Sequence, residues 1–279
     1  MNVPKRSRRS PTSFPLPWAV AESCVKDRRG YQAAFTFRDV LFSFRWIPPG
    51  EFVMGAPAEE IAIGGSPVEG PQHRVRITAG FWLGRTQVTQ AQWSTLVERN
   101  PSKFKAPQYP VCGCSWYMVR DFCERLNTTN PLLRCRLPTE AEWEYACRAR
   151  TTSAFNDGSE CIGFKIDTPA LRKLAIYFGT SRGEWDAEHQ PREVASKRPN
   201  RWGLYDMHGN VSEWCMDQLA PYTAEDRVDP VGVSNSLGRL ARGGSYLSWA
   251  YECRSANRRT RDADYTLDEL GFRLLLEDK

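Results

Sequence analysis

Nine cysteines and three histidines are the side chains of this sequence best suited to metal or nucleophilic chemistry. The thiols are Cys24, Cys112, Cys114, Cys123, Cys135, Cys147, Cys161, Cys215 and Cys253. No two of them form a Cys-x-x-Cys pair, and Cys112-Gly113-Cys114 is too tight for a zinc knuckle. His73, His189 and His208 are scattered and share no ligand spacing. No transition-metal site is therefore expected. The basic N-terminus is followed by no apolar signal core, so the thiols are expected to be free, mostly buried and in a reducing cytoplasm.

The elements around these groups are short. Hydrophobic residues make up 41% and charged residues 25% of 279, which excludes wholesale disorder. No run of about 18 apolar residues is present, so no helical membrane span is expected. The net charge of +5 owes much to Lys5, Arg6, Arg8 and Arg9. The remainder is nearly neutral and gives no reason to expect a nucleic-acid partner. Residues 1–30 are expected to be a disordered basic tail and lead-in, and 31–279 a single domain. Ten Trp, 20 Gly and 19 Pro predict a loop-rich fold whose aromatic side chains pin its loops.

Strand-like bursts are predicted at Phe35 to Phe42, Phe44 to Ile47, Glu51 to Gly55 and 74–84, with 56–72 a long polar loop. Three helices follow. Thr89 caps the first, which carries Ala91, Trp93, Leu96 and Val97. The second runs from Ser115 to Asn127, with Trp116, Val119, Phe122, Cys123 and Leu126 on one face. In the third, Thr139 to Arg148, Thr139 and Glu142 have capping-box spacing. Residues 171–178 suit a short helix or strand, and Arg192 to Ala195 a short strand. Further strands are expected at Gly203 to Tyr205, Val211 to Met216, Gly238 to Ser245 and Gly271 to Leu276. This pattern predicts an α+β fold dominated by loops.

Several tracts are distinctive together. They include Pro48-Pro49-Gly50-Glu51-Phe52, Arg136-Leu137-Pro138-Thr139-Glu140, Asn200-Arg201-Trp202-Gly203-Leu204-Tyr205, Gly209-Asn210-Val211-Ser212-Glu213-Trp214, Arg242-Gly243-Gly244-Ser245 and Gly271-Phe272-Arg273-Leu274. With their neighbours they resemble the formylglycine-generating-enzyme, or sulfatase-modifying-factor, family over about residues 40 to 276. The resemblance implies a C-type-lectin-like fold, with Trp143, Trp202 and Trp214 as core pins. It also implies a structural calcium ion held by Asp206, Gly209, Val211 and Glu213, oxygen ligands that suit a hard cation. A second family calcium position would fall near 175–190, where Leu174-Ala175-Ile176-Tyr177 lacks the expected amide, and it is not carried over.

Active relatives oxidise a substrate cysteine with copper held by two cysteines five residues apart, shortly after the Arg-Gly-Gly-Ser turn. Here only Cys253 follows that turn, and one thiol cannot make the site, so copper is not expected. A related branch forms carbon–sulfur bonds with iron and needs a histidine cluster in a separate helical domain; neither is visible here.

The tract 242–274 alternates scaffold blocks with variable-looking ones. Glycines and arginines suit tight turns and carbonyl bonds. Between them stand Tyr246, Leu247, Ser248, Trp249, Tyr251, Glu252, Thr260, Asp262, Asp264, Tyr265, Thr266 and Asp268. Tyr and Trp with small polar residues are the composition of an adaptable binding surface. The arrangement resembles the variable proteins of diversity-generating retroelements. That likeness implies a monomeric, non-catalytic protein that binds a protein or other macromolecular ligand. Two alternatives are an oxidase acting on a cysteine-containing peptide and an accessory domain of a larger assembly.

Overall fold

The structure is a computed structural model, and it describes residues 21–62, 64–161, 163–182, 188–233 and 238–277. Its strands, in chain order, are β1 (Ser23–Asp27), β2 (Gly30–Phe37), β3 (Val40–Ile47), β4 (Gly50–Met54), β5 (His73–Ile77), β6 (Phe81–Gly84), β7 (Cys135–Arg136), β8 (Ser212–Gln218), β9 (Arg227–Val228), β10 (Gly238–Arg242), β11 (Arg259–Asp262), β12 (Leu270–Gly271) and β13 (Leu275–Leu276). The helices are α1 (Ala58–Ala62), α2 (Gln90–Ser94), α3 (Trp116–Thr129) and α4 (Glu140–Arg148).

Three sheets organise the chain. The largest has the order β1-β2-β3-β6-β13-β7, so the last strand inserts between elements far earlier in sequence. The second has the order β11-β10-β8-β12 and carries the C-terminal tract. The third is the small sheet β4-β5-β9. The expected α+β, loop-rich architecture is thus present.

Local signals explain the helices. Thr89 and Gln92 cap α2 reciprocally, with the Gln92 amide donating to Thr89 Oγ1 at 3.2 Å and the Thr89 amide to Gln92 Oε1 at 2.9 Å. The helix is shorter than its apolar spacing suggests, because the Thr95 hydroxyl turns back to Gln92 O at 2.7 Å. Helix α3 buries the five predicted side chains. Thr139 and Glu142 form the predicted box on α4, which ends at Ala149 in the left-handed conformation.

Other expectations change. The first hairpin turns at Arg38-Asp39, both left-handed, rather than after Phe42, because a polar pair breaks the apolar alternation there. The lead-in is structured from residue 23, where β1 extends the large sheet; residues 1–20 lie outside the described residues. The 56–72 loop contains α1. Residues 203–205 turn rather than extend, since Asn200 Oδ1 accepts the amides of Trp202 (3.0 Å) and Leu204 (3.1 Å). Arg192 to Ala195 is also irregular; its polar backbone bonds to Asn210 Oδ1 and Asp206 Oδ2 instead of a strand. Within 171–178 only Leu171–Lys173 makes a short 3-10 turn.

One core cluster joins Phe35, Phe42, Phe44, Trp93, Phe122, Trp214 and Phe272. A second gathers Trp143, Tyr145, Trp202 and Leu240, and a third holds Phe155, Tyr177 and Cys253. The three tryptophans expected as pins are buried.

Candidate functional site

The scaffold blocks of the C-terminal tract are the most charged part of the interior. Arg242 pairs with Glu144, Arg258 with Glu140 at 2.7 Å, and Arg254 with Glu60 at 2.5 Å and Glu69 at 2.8 Å. Arg148 adds a second guanidinium to Glu144. The four arginines thus face four glutamates, all buried. The arginines also donate to loop carbonyls, as expected: Arg242 to Ser255 O (2.9 Å), Arg254 to Tyr251 O (2.7 Å) and Arg258 to Val68 O (2.7 Å). Their glutamate partners were not foreseen, because they lie up to 194 residues away.

Consecutive left-handed glycines turn the chain after Arg242. A Cβ on Gly244 would stand 2.7 Å from Cys253 Sγ, and one on Gly243 would stand 3.0 Å from the Trp143 ring. The chain beyond the turn alternates. Tyr246 faces inward, its ring edge-on to Phe104 at 6.2 Å and its amide donating to Asn210 O at 2.9 Å. Ser248 also faces inward and accepts the Ser245 amide at 3.0 Å. Leu247 and Trp249 are 43% and 41% exposed.

The binding-surface expectation therefore needs correction at two residues. Tyr246 and Ser248 are buried because the Ser245–Ser248 turn and the Phe104 contact draw them in. Leu247, Trp249, Asp262, Asp264, Tyr265 and Thr266 are exposed, while Tyr251, Glu252, Thr260 and Asp268 are partly buried. Glu252 is also committed, pairing with Arg259 and accepting the Trp249 amide at 2.8 Å.

Residues 163–182 and His189 add a wall that the sequence did not reveal. The amides of Ala250 and Tyr251 donate to Ile166 O and Lys165 O, and the Phe178 amide to Ser248 O. These bonds place Phe164, which is 69% exposed, edge-on to Tyr251 at 5.2 Å, and Tyr251 meets Trp249 at 5.9 Å. Phe178 stacks on His189 at 4.2 Å. His189 lines a surface concavity of about 430 Å³ with Tyr246, Leu247, Thr266 and Asp268. The result is an exposed aromatic surface continuing into a small depression. No local signal singled out Phe164, Ile166 or Phe178, because their segment has no regular period.

The four residues of the expected calcium site come together, around an unexpected occupant. Gln87 Nε2 lies 3.2 Å from Asp206 O, 3.1 Å from Gly209 O, 2.7 Å from Val211 O and 3.0 Å from Glu213 Oε1. One carboxamide has two N–H bonds for these four oxygens. Arg273 already neutralises Glu213 at 2.8 Å, and Trp143 Nε1 donates to it at 2.7 Å. Asp206 Oδ2 accepts the Ala195 amide at 2.8 Å. Gln87 Nε2 stands at the point where the oxygens converge, so a calcium ion would have to displace it, while Gln87 Oε1 and Asp206 Oδ1 are buried without a partner.

The thiols are poorly placed for copper. All nine are free, and all but Cys24 are buried. Burial raises the Cys253 thiol well above its ordinary range, Cys147 to about 12 and Cys161 to about 11. Five residues to either side of Cys253 stand Ser248 and Arg258, neither of which supplies a second thiolate. His208 is interior: its ring accepts the Asn156 amide at 3.1 Å, leaving the other nitrogen to donate to Cys253 O at 2.8 Å. Burial lowers it to about 4. His73 packs on Tyr222 and His189 on Phe178, so the described residues contain no histidine cluster.

Comparison with known proteins gives the family and the fold. Residues 42–278 match the model of the sulfatase-modifying factor enzyme 1-like domain. The formylglycine-generating enzyme of Streptomyces coelicolor is 31% identical over 81% of this chain and 87% of its own length. The enzyme of that name from Bos taurus is 30% identical over 70% of this chain, which spans about half of it (50%). Among solved structures, Treponema denticola variable protein 1 superposes with a TM-score of 0.74 and 26% identity, over 88% of this chain and 98% of that one. PvdO from Pseudomonas aeruginosa has a TM-score of 0.69 at 23% identity, over 95% of this chain and 99% of its own, which supports the fold alone. The fold is the C-type-lectin-like one of these neighbours, and the chain belongs to the sulfatase-modifying factor enzyme 1-like family.

Proposed function

We propose that this protein is a non-catalytic binding protein that holds a protein or other macromolecular ligand on the surface formed by Leu247, Trp249, Tyr251, Phe164 and the 262–268 turn. One observation carries the reading. Within a single tract, the charged scaffold blocks are locked in the interior, while aromatic side chains between them stand in solvent. Exposed aromatic anchors on a rigid frame give large contact area at low entropic cost. The likeness to Treponema denticola variable protein 1 supports a diversified surface of this kind. The absence of a second thiolate five residues from Cys253 weighs against copper oxidation.

The relatives named formylglycine-generating enzyme favour the opposing reading, oxidation of a cysteine-containing peptide. Copper titration and incubation with such a peptide separate the two. The binding reading expects no stoichiometric Cu(I) uptake and no aldehyde product; formation of aldehyde would overturn it. Sequencing the gene and its flanks in independent isolates then tests diversification. A reverse-transcriptase gene and a near-copy of the codons for 242–273, with changes confined to template adenines, would support it. An invariant tract with no copy would leave a binder with a fixed partner.

A further inference from the structure

Far from the C-terminal tract in sequence, three segments bring five cations around one concavity of about 490 Å³. Arg28 and Arg29 come from the β1–β2 turn, Lys173 from the 3-10 turn, and Arg198 and Arg201 from the loop before Gly203. Among the described residues none of these five side chains has a carboxylate within ion-pair distance. Among the described residues the one acid on the wall is Asp157, whose Oδ1 accepts the Ser159 amide at 3.0 Å.

The clustering is built into the fold. Arg45 is buried and acts as a clamp, with two bonds of 2.9 Å to the Asp27 carboxylate and one of 2.8 Å to Trp202 O. It ties the end of β1 to the turn that carries Arg201, and it consumes the one acid beside Arg28 and Arg29. The Arg198 amide donates to Lys173 O at 3.0 Å, joining the other two segments. Gly203, at φ +81°, makes room for the Arg45 clamp, with Arg29 beyond it; a Cβ there would stand 2.9 Å from Arg45 Nε and 3.3 Å from Arg29 Cδ. Asn156 also lines the wall, and its Oδ1 is buried with no partner.

We propose that this concavity is an anion site for a compact polyphosphorylated ligand, separate from the aromatic surface. Four of the five cations are arginines, whose planar forks match phosphate oxygens in pairs. The volume is that of a small-molecule site. Among the described residues no aromatic side chain lines the wall to stack on a nucleobase, and a bare nucleic-acid strand is disfavoured. The ligand is recognised by clustered phosphate charge, either as a free polyphosphate or as a polyphosphorylated lipid headgroup.

The test is calorimetric titration of the full chain with inorganic tripolyphosphate, alongside flotation with vesicles carrying a bisphosphorylated inositol lipid. The expected result is saturable binding in at least one arm, weakened by added salt. Binding to tripolyphosphate identifies a free ligand, and binding to vesicles alone identifies the headgroup. The double variant R198E/R201E, at two exposed positions, is expected to weaken binding at least about tenfold while leaving Tm unchanged. Failure of both arms overturns the proposal. So does binding that survives the charge reversal, or equal or tighter binding of polyglutamate or a short single-stranded DNA.

Discussion

The two faces of residues 242–274 use their side chains in opposite ways. Arg242, Arg254, Arg258 and Arg273 are buried, and each meets a buried glutamate. Leu247, Trp249 and Tyr265 of the intervening stretches stand in solvent and support nothing above them. A buried guanidinium is costly to desolvate, so its partners must be fixed in place. An exposed aromatic has no such requirement and can be exchanged. The contrast teaches that one short tract can be both frame and adaptable surface, provided the two functions fall on different residues.

The sharpest way to break this comparison is from the frame. Arg254→Ala leaves Glu60 and Glu69 buried and unpaired, and is expected to cost about 3–5 kcal/mol in urea unfolding. A smaller cost, comparable to that of a surface substitution, would show that the network is not a frame. Tyr246→Ala comes next, at about 3 kcal/mol, because the ring is buried against Phe104 beneath the depression and does not stand in solvent. If it destabilised by less than about 0.5 kcal/mol, Tyr246 would return to the surface set.

Gln87→Ala removes the donor shared by four oxygens and is expected to cost about 1–3 kcal/mol. It also vacates the space between them, so millimolar calcium is expected to raise the Tm of this variant and leave that of the parent protein unchanged. A calcium-dependent Tm in the parent protein would show that the ion displaces Gln87.

The pH dependence supplies another check on the frame. Burial and the neighbouring Glu140 carboxylate raise Asp217 to about 7 from 3.8. The folded protein therefore holds a proton that the unfolded chain releases. This group's stabilising contribution is full below about pH 4 and is lost as pH rises through about 7. Asp217→Asn is expected to flatten that part of the stability profile, measured by chemical unfolding across the range. The smallest effect on stability belongs to the surface: Trp249→Ala and Tyr265→Ala are each expected to stay within about 0.5 kcal/mol while weakening ligand capture.

Local chemistry determined a good part of this protein from sequence alone. The three capped helices and the buried face of α3 follow from spacing and capping, which act over one or two turns of chain. The family resemblance likewise rests on short tracts with turn-forming residues in fixed order. Tertiary structure decided the rest, because the deciding partners are distant. Tyr246 and Trp249 have similar composition-based claims to the surface, and only the Ser245–Ser248 turn and the Phe104 contact send one inward and the other outward. Gln87 sits among the four oxygens from more than a hundred residues away, and Arg254 meets Glu60 across 194. Phe164 joins the aromatic surface through backbone bonds to Lys165 and Ile166, made by an irregular segment whose own sequence has no period to read. A charge or a ring carries no record of its partner; the fold supplies it.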